Sequence, residues 1–377
     1  MIKVWLDVVP TNPTLWNRQH SVILDWDPEF TSVTYVNDIR ESDVVFVLMS
    51  GGLLETKEQI AYITKVGYSN QHIVVLNLFH SDECLGEHYT KKSLVMNMWR
   101  HFAPVKKCLF LDQNYLVKQL KLDDVMSYDM LFQRQQVYHT EYEKYDLTDR
   151  IYTKWASQEM YELAPINKTP SAKHFLAPMR TFDNLYDSHP RVVLRHKIRQ
   201  LLDPSKGYIS NLAKGEVLLP QETSSIIMEM FNCEQHQYGG GTWWPVNNSY
   251  YNDSIVSVYV ESITYGNDYR CVTEKTFDPL IKGNFILPFG YRGLIQDIRD
   301  YGFKFPNWID YSYDDLNDVP RWEAYTDTVK QLLSMDQQVL YNHCINDMDI
   351  LQHNRNIFYT APRLGLVSKI RDWINNI

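Results

Sequence analysis

Two near-continuous apolar runs, residues 44–49 and 72–79, flank a stretch of helical apolar spacing, residues 53–65, that ends near Gly67. A strand with one wet face alternates apolar and polar side chains. A strand apolar at nearly every position needs cover on both faces, which is the situation inside a parallel sheet between helices. The strand–helix–strand order reads as a βαβ unit. Residues 2–8, 32–36 and 108–111 are further strand candidates, so the chain opens with an α/β domain.

Residues 115–170 are less regular, rich in Tyr, Gln, Asp and Lys, and end in a polar stretch bracketed by Pro165 and Pro170. Two prolines around polar residues mark a domain boundary. The expected division is an N-terminal domain over 1–168 and a C-terminal domain over 169–377. Alternation resumes after it. Residues 173–178, 207–211, 254–261 and 284–289 read as strands. Residues 191–202, 273–282, 293–301, 321–335, much of 337–359 and 364–377 read as helices. A length of 377 residues suits two domains of ordinary size. Ligands of open α/β sheets bind where strands end and helices begin.

Charge and cysteine content narrow the function classes. The net charge of −9 argues against a general nucleic-acid binder, which shows a basic balance. No run reaches the ~18 apolar residues of a membrane span. The first residues carry Asp7 inside an apolar run and read as a strand, not a signal peptide. Five scattered cysteines without a Cys-x-x-Cys pair point to reduced thiols and a cytoplasmic location.

The most informative stretch is 259–290. Glu261 ends a strand, Thr273-Glu274-Lys275 opens a helix, and Pro288-Phe289-Gly290 closes the next strand. Thr273 is a good N-cap, and Glu274 in the first turn suits the helix dipole. Lys275 does not suit it, because a helix N-terminus already carries partial positive charge. A cation there is explained when an anion binds. Backbone N–H groups, the dipole and a lysine together make a phosphate site. A neighbouring carboxylate can accept hydrogen bonds from ribose hydroxyls. The competing explanation is a surface Glu–Lys pair that solvates a helix start.

The order Val-Glu-Ser at 260–262, Val-Thr-Glu-Lys at 272–275 and Gly-Asn-Phe-Ile-Leu-Pro-Phe-Gly at 283–290 resembles the donor-binding signature of α-1,3-fucosyltransferase-like glycosyltransferases. The runs Tyr301–Phe305 and Trp308–Asp314, followed by Arg321, resemble a group of bacteriophage glycosyltransferases, as do 175–180 and His189-Pro190-Arg191. The resemblance covers 173 to about 335. It implies the GT-B architecture: two Rossmann-like domains facing each other across a cleft, with a C-terminal helix that crosses back. The sequence departs from the pattern at Cys271, where the family has Tyr, at Ser262, where it has Asn, at Met179, and in a longer loop over 263–270.

The resemblance implies a metal-independent hexosyl- or pentosyltransferase with a UDP- or GDP-linked sugar as co-substrate and no resident cofactor. Glu274 would bind the donor ribose and Lys275 the diphosphate, with Thr273 and Gly290 at the same site. Arg180 or Arg191 would add a second cation, with Arg195 as an alternative. Such cations neutralise charge on the departing nucleoside diphosphate. An inverting transferase also needs a base near the acceptor hydroxyl. Asp82 and Glu83, beside His80 after a strand of the first domain, are candidates, and so is Glu261.

Other features carry less. Asp25-Trp-Asp27 and Asp347-Met-Asp349 have the spacing of a divalent-metal motif, but in a chain this rich in Asp such pairs arise by chance, and no essential metal is expected. Gly239-Gly240-Gly241 followed by Trp243 and Trp244 reads as a mobile loop suited to cover a cleft. The phage resemblance implies as acceptor a glycan, a small hydroxyl compound or a hydroxymethylated base in DNA. The last would need a basic face on the first domain, where Arg40, Lys65, Lys106, Lys107, Lys118 and Lys121 are scattered. The alternative to an enzyme is a non-catalytic nucleotide- or sugar-binding protein that kept the fold. A Rossmann dehydrogenase is excluded by the missing Gly-x-Gly-x-x-Gly after the first strand.

Overall fold

A computed structural model describes residues 2–6, 33–48, 61, 64–65, 67–68, 73–77, 108–112, 125–127, 164–179, 190–211, 248–261, 264, 272, 274–360, 372–373 and 375–376. The chain divides into two compact units. One comprises Met1–Arg134, Asp268–Cys271 and Pro362–Ile377, and the other Gln135–Asn267 and Val272–Ala361. Lys168, which the sequence reading puts at the end of the first domain, is anchored in the second unit by Tyr251, Ser254 and Asn284.

The first unit holds a six-stranded parallel sheet. Its strands are β1 (Ile2–Leu6), β2 (Val33–Tyr35), β3 (Val44–Leu48), β4 (Ile73–Asn77), β5 (Cys108–Asp112) and β6 (Val125–Ser127), in the order β2-β1-β3-β4-β5-β6. β3 pairs β4 from Val44 against Ile73 to Leu48 against Asn77, so the two apolar runs are neighbouring strands. β6 falls in the stretch that reads as irregular. Three residues, Val-Met-Ser, are too short to show any periodicity.

The second unit holds a four-stranded parallel sheet of β7 (Lys173–Met179), β8 (Gly207–Asn211), β9 (Ser254–Val260) and β10 (Phe285–Phe289), in the order β10-β9-β7-β8. Its helices are α1 (Pro190–Leu201), α2 (Asn248–Asn252), α3 (Glu274–Lys282), α4 (Leu294–Asp300), α5 (Asp318–Ser334), α6 (Gln337–Asn346) and α7 (Met348–Thr360). Every residue of β9 and β10 is buried. Their Ile, Val, Leu and Phe side chains form the core with Phe277, Leu280 and Ile281 of α3.

Local sequence explains the boundaries. α5 starts at Asp318 rather than at Arg321, because Pro320 in a first turn loses no helical hydrogen bond. The pattern over 337–359 is two helices, with Asp347 ending α6 and donating its N–H to His343 O. Gly283 (φ 91°) lets the chain turn from α3 into β10. Pro288 sits inside β10 because β10 is the sheet's edge. The N–H it lacks would face away from β9.

Candidate functional site

Both sheets share a winding pattern. Counted from its own first strand, each begins 2-1-3-4: β2-β1-β3-β4 and β8-β7-β9-β10. The winding reverses between first and third strands, and ligands of such sheets lie outside the carboxyl ends at that point. In the second unit these ends are Met179 of β7 and Val260 of β9, with Phe289 of β10 alongside.

The three separated pieces of the 259–290 pattern meet there. Glu261 donates its backbone N–H to Phe289 O (2.8 Å), extending the β9–β10 ladder by one rung. Its side chain is fully buried, and Oε1 accepts from Thr276 Oγ1 at 2.6 Å. Thr276 Oγ1 in turn accepts from the Tyr259 hydroxyl at 2.7 Å. Thr276 follows Lys275 in the first turns of α3, so this chain of hydroxyls fixes the helix start against the end of β9. Gly290 packs closely at the same edge. A Cβ there would overlap Leu294 and touch the Glu261 Cβ at 3.5 Å.

Two buried cations reach the same edge. Arg195 of α1 is 3% exposed and donates from Nη2 and Nε to Val260 O at 3.1 and 3.3 Å. Its guanidinium therefore sits on the peptide that joins Val260 to Glu261. Arg321 of α5 is 1% exposed. It donates from Nη1 to Gly290 O (2.8 Å) and from Nη2 to Thr264 O (2.7 Å), and it lies 4.8 Å from the Phe289 ring centroid. Backbone carbonyls that accept from a buried cation offset part of the water it loses. Burial nonetheless pushes the Arg321 guanidinium below its usual range, with Asp318 and Asp314 opposing.

Of the expected site residues, Glu261, Lys275 and Gly290 fall at this edge. Lys275 is half-buried in the first turn of α3. Glu274 opens α3 and Arg191 lies at the start of α1, both described by backbone alone. Arg180, directly after β7, and Thr273, directly before α3, lie outside the described residues, as do Asp82 and Glu83. So do His80, Asp25, Asp27, Trp243 and Trp244. Asp347 and Asp349 lie at the α6–α7 junction. Among the described residues no cluster of His, Cys, Asp and Glu could hold a metal ion, and no helix is long and apolar enough to cross a membrane.

The sequence alone does not place Thr276, Thr264 or Arg321 at this edge, and it offers Arg195 only as an alternative to Arg180 or Arg191 as the second cation. Apart from Asp318 beside Arg321, their partners lie 15 to 65 residues away in sequence, where no local spacing reveals them. The signal in reach was the helix phase of α1. Arg195 shares the stripe of Ile198 and Leu202, which are buried with it.

No protein-family model matches the chain, and no curated protein matches its sequence. Among solved structures, the crystal structure of an α1,3-fucosyltransferase is similar at 11% sequence identity. The match covers 93% of this chain and 80% of that one, with a TM-score of 0.42.

Proposed function

We propose that the protein is a glycosyltransferase that moves a sugar from a nucleoside-diphosphate donor to a hydroxyl acceptor. The observation that carries this reading is the meeting of three pieces of one motif at a switch point. Glu261, the α3 start that bears Glu274 and Lys275, and Gly290 are joined there by the Thr276–Glu261 bond and the close approach of Gly290 to Glu261. In this reading the α3 N-terminus and Lys275 take the diphosphate, and Glu274 takes the ribose. Arg195 adds buried positive charge at the same strand end. These groups stabilise the leaving nucleoside diphosphate, the main electrostatic demand of sugar transfer. The buried Glu261 holds the site together through Thr276, so the base that takes the acceptor proton is sought elsewhere, with Asp82 and Glu83 of the first unit as candidates. No metal is assigned a role, and the acceptor is a glycan or small hydroxyl compound.

The test is thermal unfolding with UDP, GDP, CMP, ADP and their sugar conjugates, with and without Mg²⁺. A ligand at 100 times its Kd adds about 2.7 kcal/mol of stability. A shift with one nucleotide that disappears in Lys275→Ala supports the reading. A shift that survives Lys275→Ala places the site elsewhere. No shift with any nucleotide removes the donor class proposed.

A further inference from the structure

The stretch Asp310–Asp315, with Arg321 and Tyr325 after it, finds its chemical use in the free edge of β10. In a strand, carbonyls point alternately to either side. Phe289 O faces β9, where it accepts from the Glu261 N–H. Ile286, Pro288 and Gly290 therefore face the open side, where no strand follows among the described residues. Each of these carbonyls is met by a side chain. Tyr311 donates its hydroxyl to Ile286 O (2.8 Å), Tyr313 to Pro288 O (2.7 Å), and Arg321 Nη1 to Gly290 O (2.8 Å). Buried carbonyls need donors, and an open strand edge is a liability until it is covered. Two phenols and a guanidinium replace the missing strand.

The last rung differs from the other two. Tyr311 and Tyr313 each end on one carbonyl of β10. Arg321 goes on from Gly290 to Thr264 O at 2.7 Å, beyond the end of β9. Its ion-pair partner, Asp318 at 3.0 Å, is itself 69% exposed. A lysine could make one of these contacts but could not hold a fixed fork across two segments.

We infer that Arg321 is a positioning residue: it ties the turn at Gly290 to the backbone at Thr264 and so sets the spacing of the two chain segments that leave the carboxyl edge. It does this through the carbonyl of Gly290, whereas a Cβ on Gly290 would meet Glu261. Only the ligand arm of the test rests on the glycosyltransferase reading.

The experiment compares Arg321→Lys with Tyr311→Phe, which removes a rung that touches neither Gly290 nor Thr264. Three quantities are read: the unfolding midpoint, amide exchange in the peptide carrying Thr264, and the Kd of whichever of UDP or GDP the wild type binds. In Arg321→Lys, exchange near Thr264 is expected to rise about 10-fold and Kd to weaken about 10-fold, out of proportion to any change in midpoint. Tyr311→Phe is expected to lower the midpoint and leave both other readouts alone. Equal effects of the two variants on all three readouts, or unchanged exchange near Thr264 in Arg321→Lys, overturn the inference. Should Arg321→Lys fail to fold, Asp318→Asn removes only an exposed carboxylate and carries the same exchange test at about 2- to 3-fold, with no change as the overturning result. If the wild type binds no nucleotide, the exchange arm decides alone, and the failure belongs to the donor reading.

Discussion

The two ends of the second sheet both bury a cation, and they treat it in different ways. At the amino end, Lys168 is 5% exposed, and its three protons go to Tyr251 O, Ser254 O and Asn284 Oδ1. Asn284 is completed by Ser254 Oγ (2.9 Å) and Ser257 Oγ (3.2 Å). Every donor has an acceptor within the fold. At the carboxyl end, Arg321 uses Nη1 and Nη2, while Nε has no hydrogen-bond partner among the described residues, and neither has the neighbouring Thr264 Oγ1. An ammonium with three matched protons locks strand starts together and leaves nothing for a ligand. A guanidinium forked between two backbone carbonyls spaces the chain segments that leave the edge where open α/β sheets take their ligands. The amino end is built for stability and the carboxyl end for geometry.

The largest expected effect breaks the amino end. Lys168→Met fits the space but strands three acceptors, at a cost of about 4 kcal/mol in urea unfolding. Where the variant is still folded, nucleotide Kd should equal that of the wild type. A weakened Kd would show that the two ends are not independent. Lys275→Ala is the converse at the other end. It should remove the roughly 2.7 kcal/mol of ligand-dependent stabilisation seen at 100 times Kd and leave the ligand-free midpoint within about 0.5 kcal/mol of wild type.

This contrast was half legible in the sequence. The strands were, because Val44–Leu48 and Ile73–Asn77 are short runs, apolar at nearly every position and rich in β-branched residues, as buried parallel strands are. The start of α3 was, because a lysine against a helix dipole calls for an explanation. The brace of β10 was not. Tyr311 and Tyr313 lie in a stretch whose pattern predicts neither strand nor helix, and their acceptors are 25 residues back. Lys168 falls in the polar stretch that marks a domain boundary, where a lysine between two prolines looks exposed until its three acceptors are assembled from β9, α2 and the turn before β10. Charge is local in sequence, whereas the partner that makes a buried charge tolerable is not.

The pH response separates the ends by sign. Burial pushes the Asp314 carboxyl up to about 6, partly offset by the Ile295 N–H it accepts and by Arg321. A raised folded value favours the protonated form, so this contribution is whole below about pH 4 and is lost as pH rises through about 6. Burial holds the Lys168 ammonium down to about 7, from 10.5. That contribution is whole above pH 10.5 and lost as pH falls through about 7. Asp314→Asn keeps an acceptor for Ile295 and does not titrate. The difference in stability between wild type and Asp314→Asn should therefore change by about 2 kcal/mol between pH 4 and 6 and be flat above. A difference that is flat across the whole range would mean that Asp314 is not desolvated at this end of the sheet.

The smallest effect sharpens the comparison along β10 itself. Tyr313 is 1% exposed, and its hydroxyl meets Pro288 O, midway between the structural rung at Ile286 and the rung at Gly290 that borders the site. Tyr313→Phe keeps the ring against Tyr325, whose centroid is 5.3 Å away, and removes only the donor. The orphaned carbonyl should cost about 1 kcal/mol, read as a shift in the urea midpoint with an unchanged slope. Nucleotide binding should not change, because Pro288 O faces the sheet's outer edge and not its carboxyl end. If Kd weakens as well, the division between brace and site lies one rung earlier than Gly290, and Tyr313 belongs with Arg321.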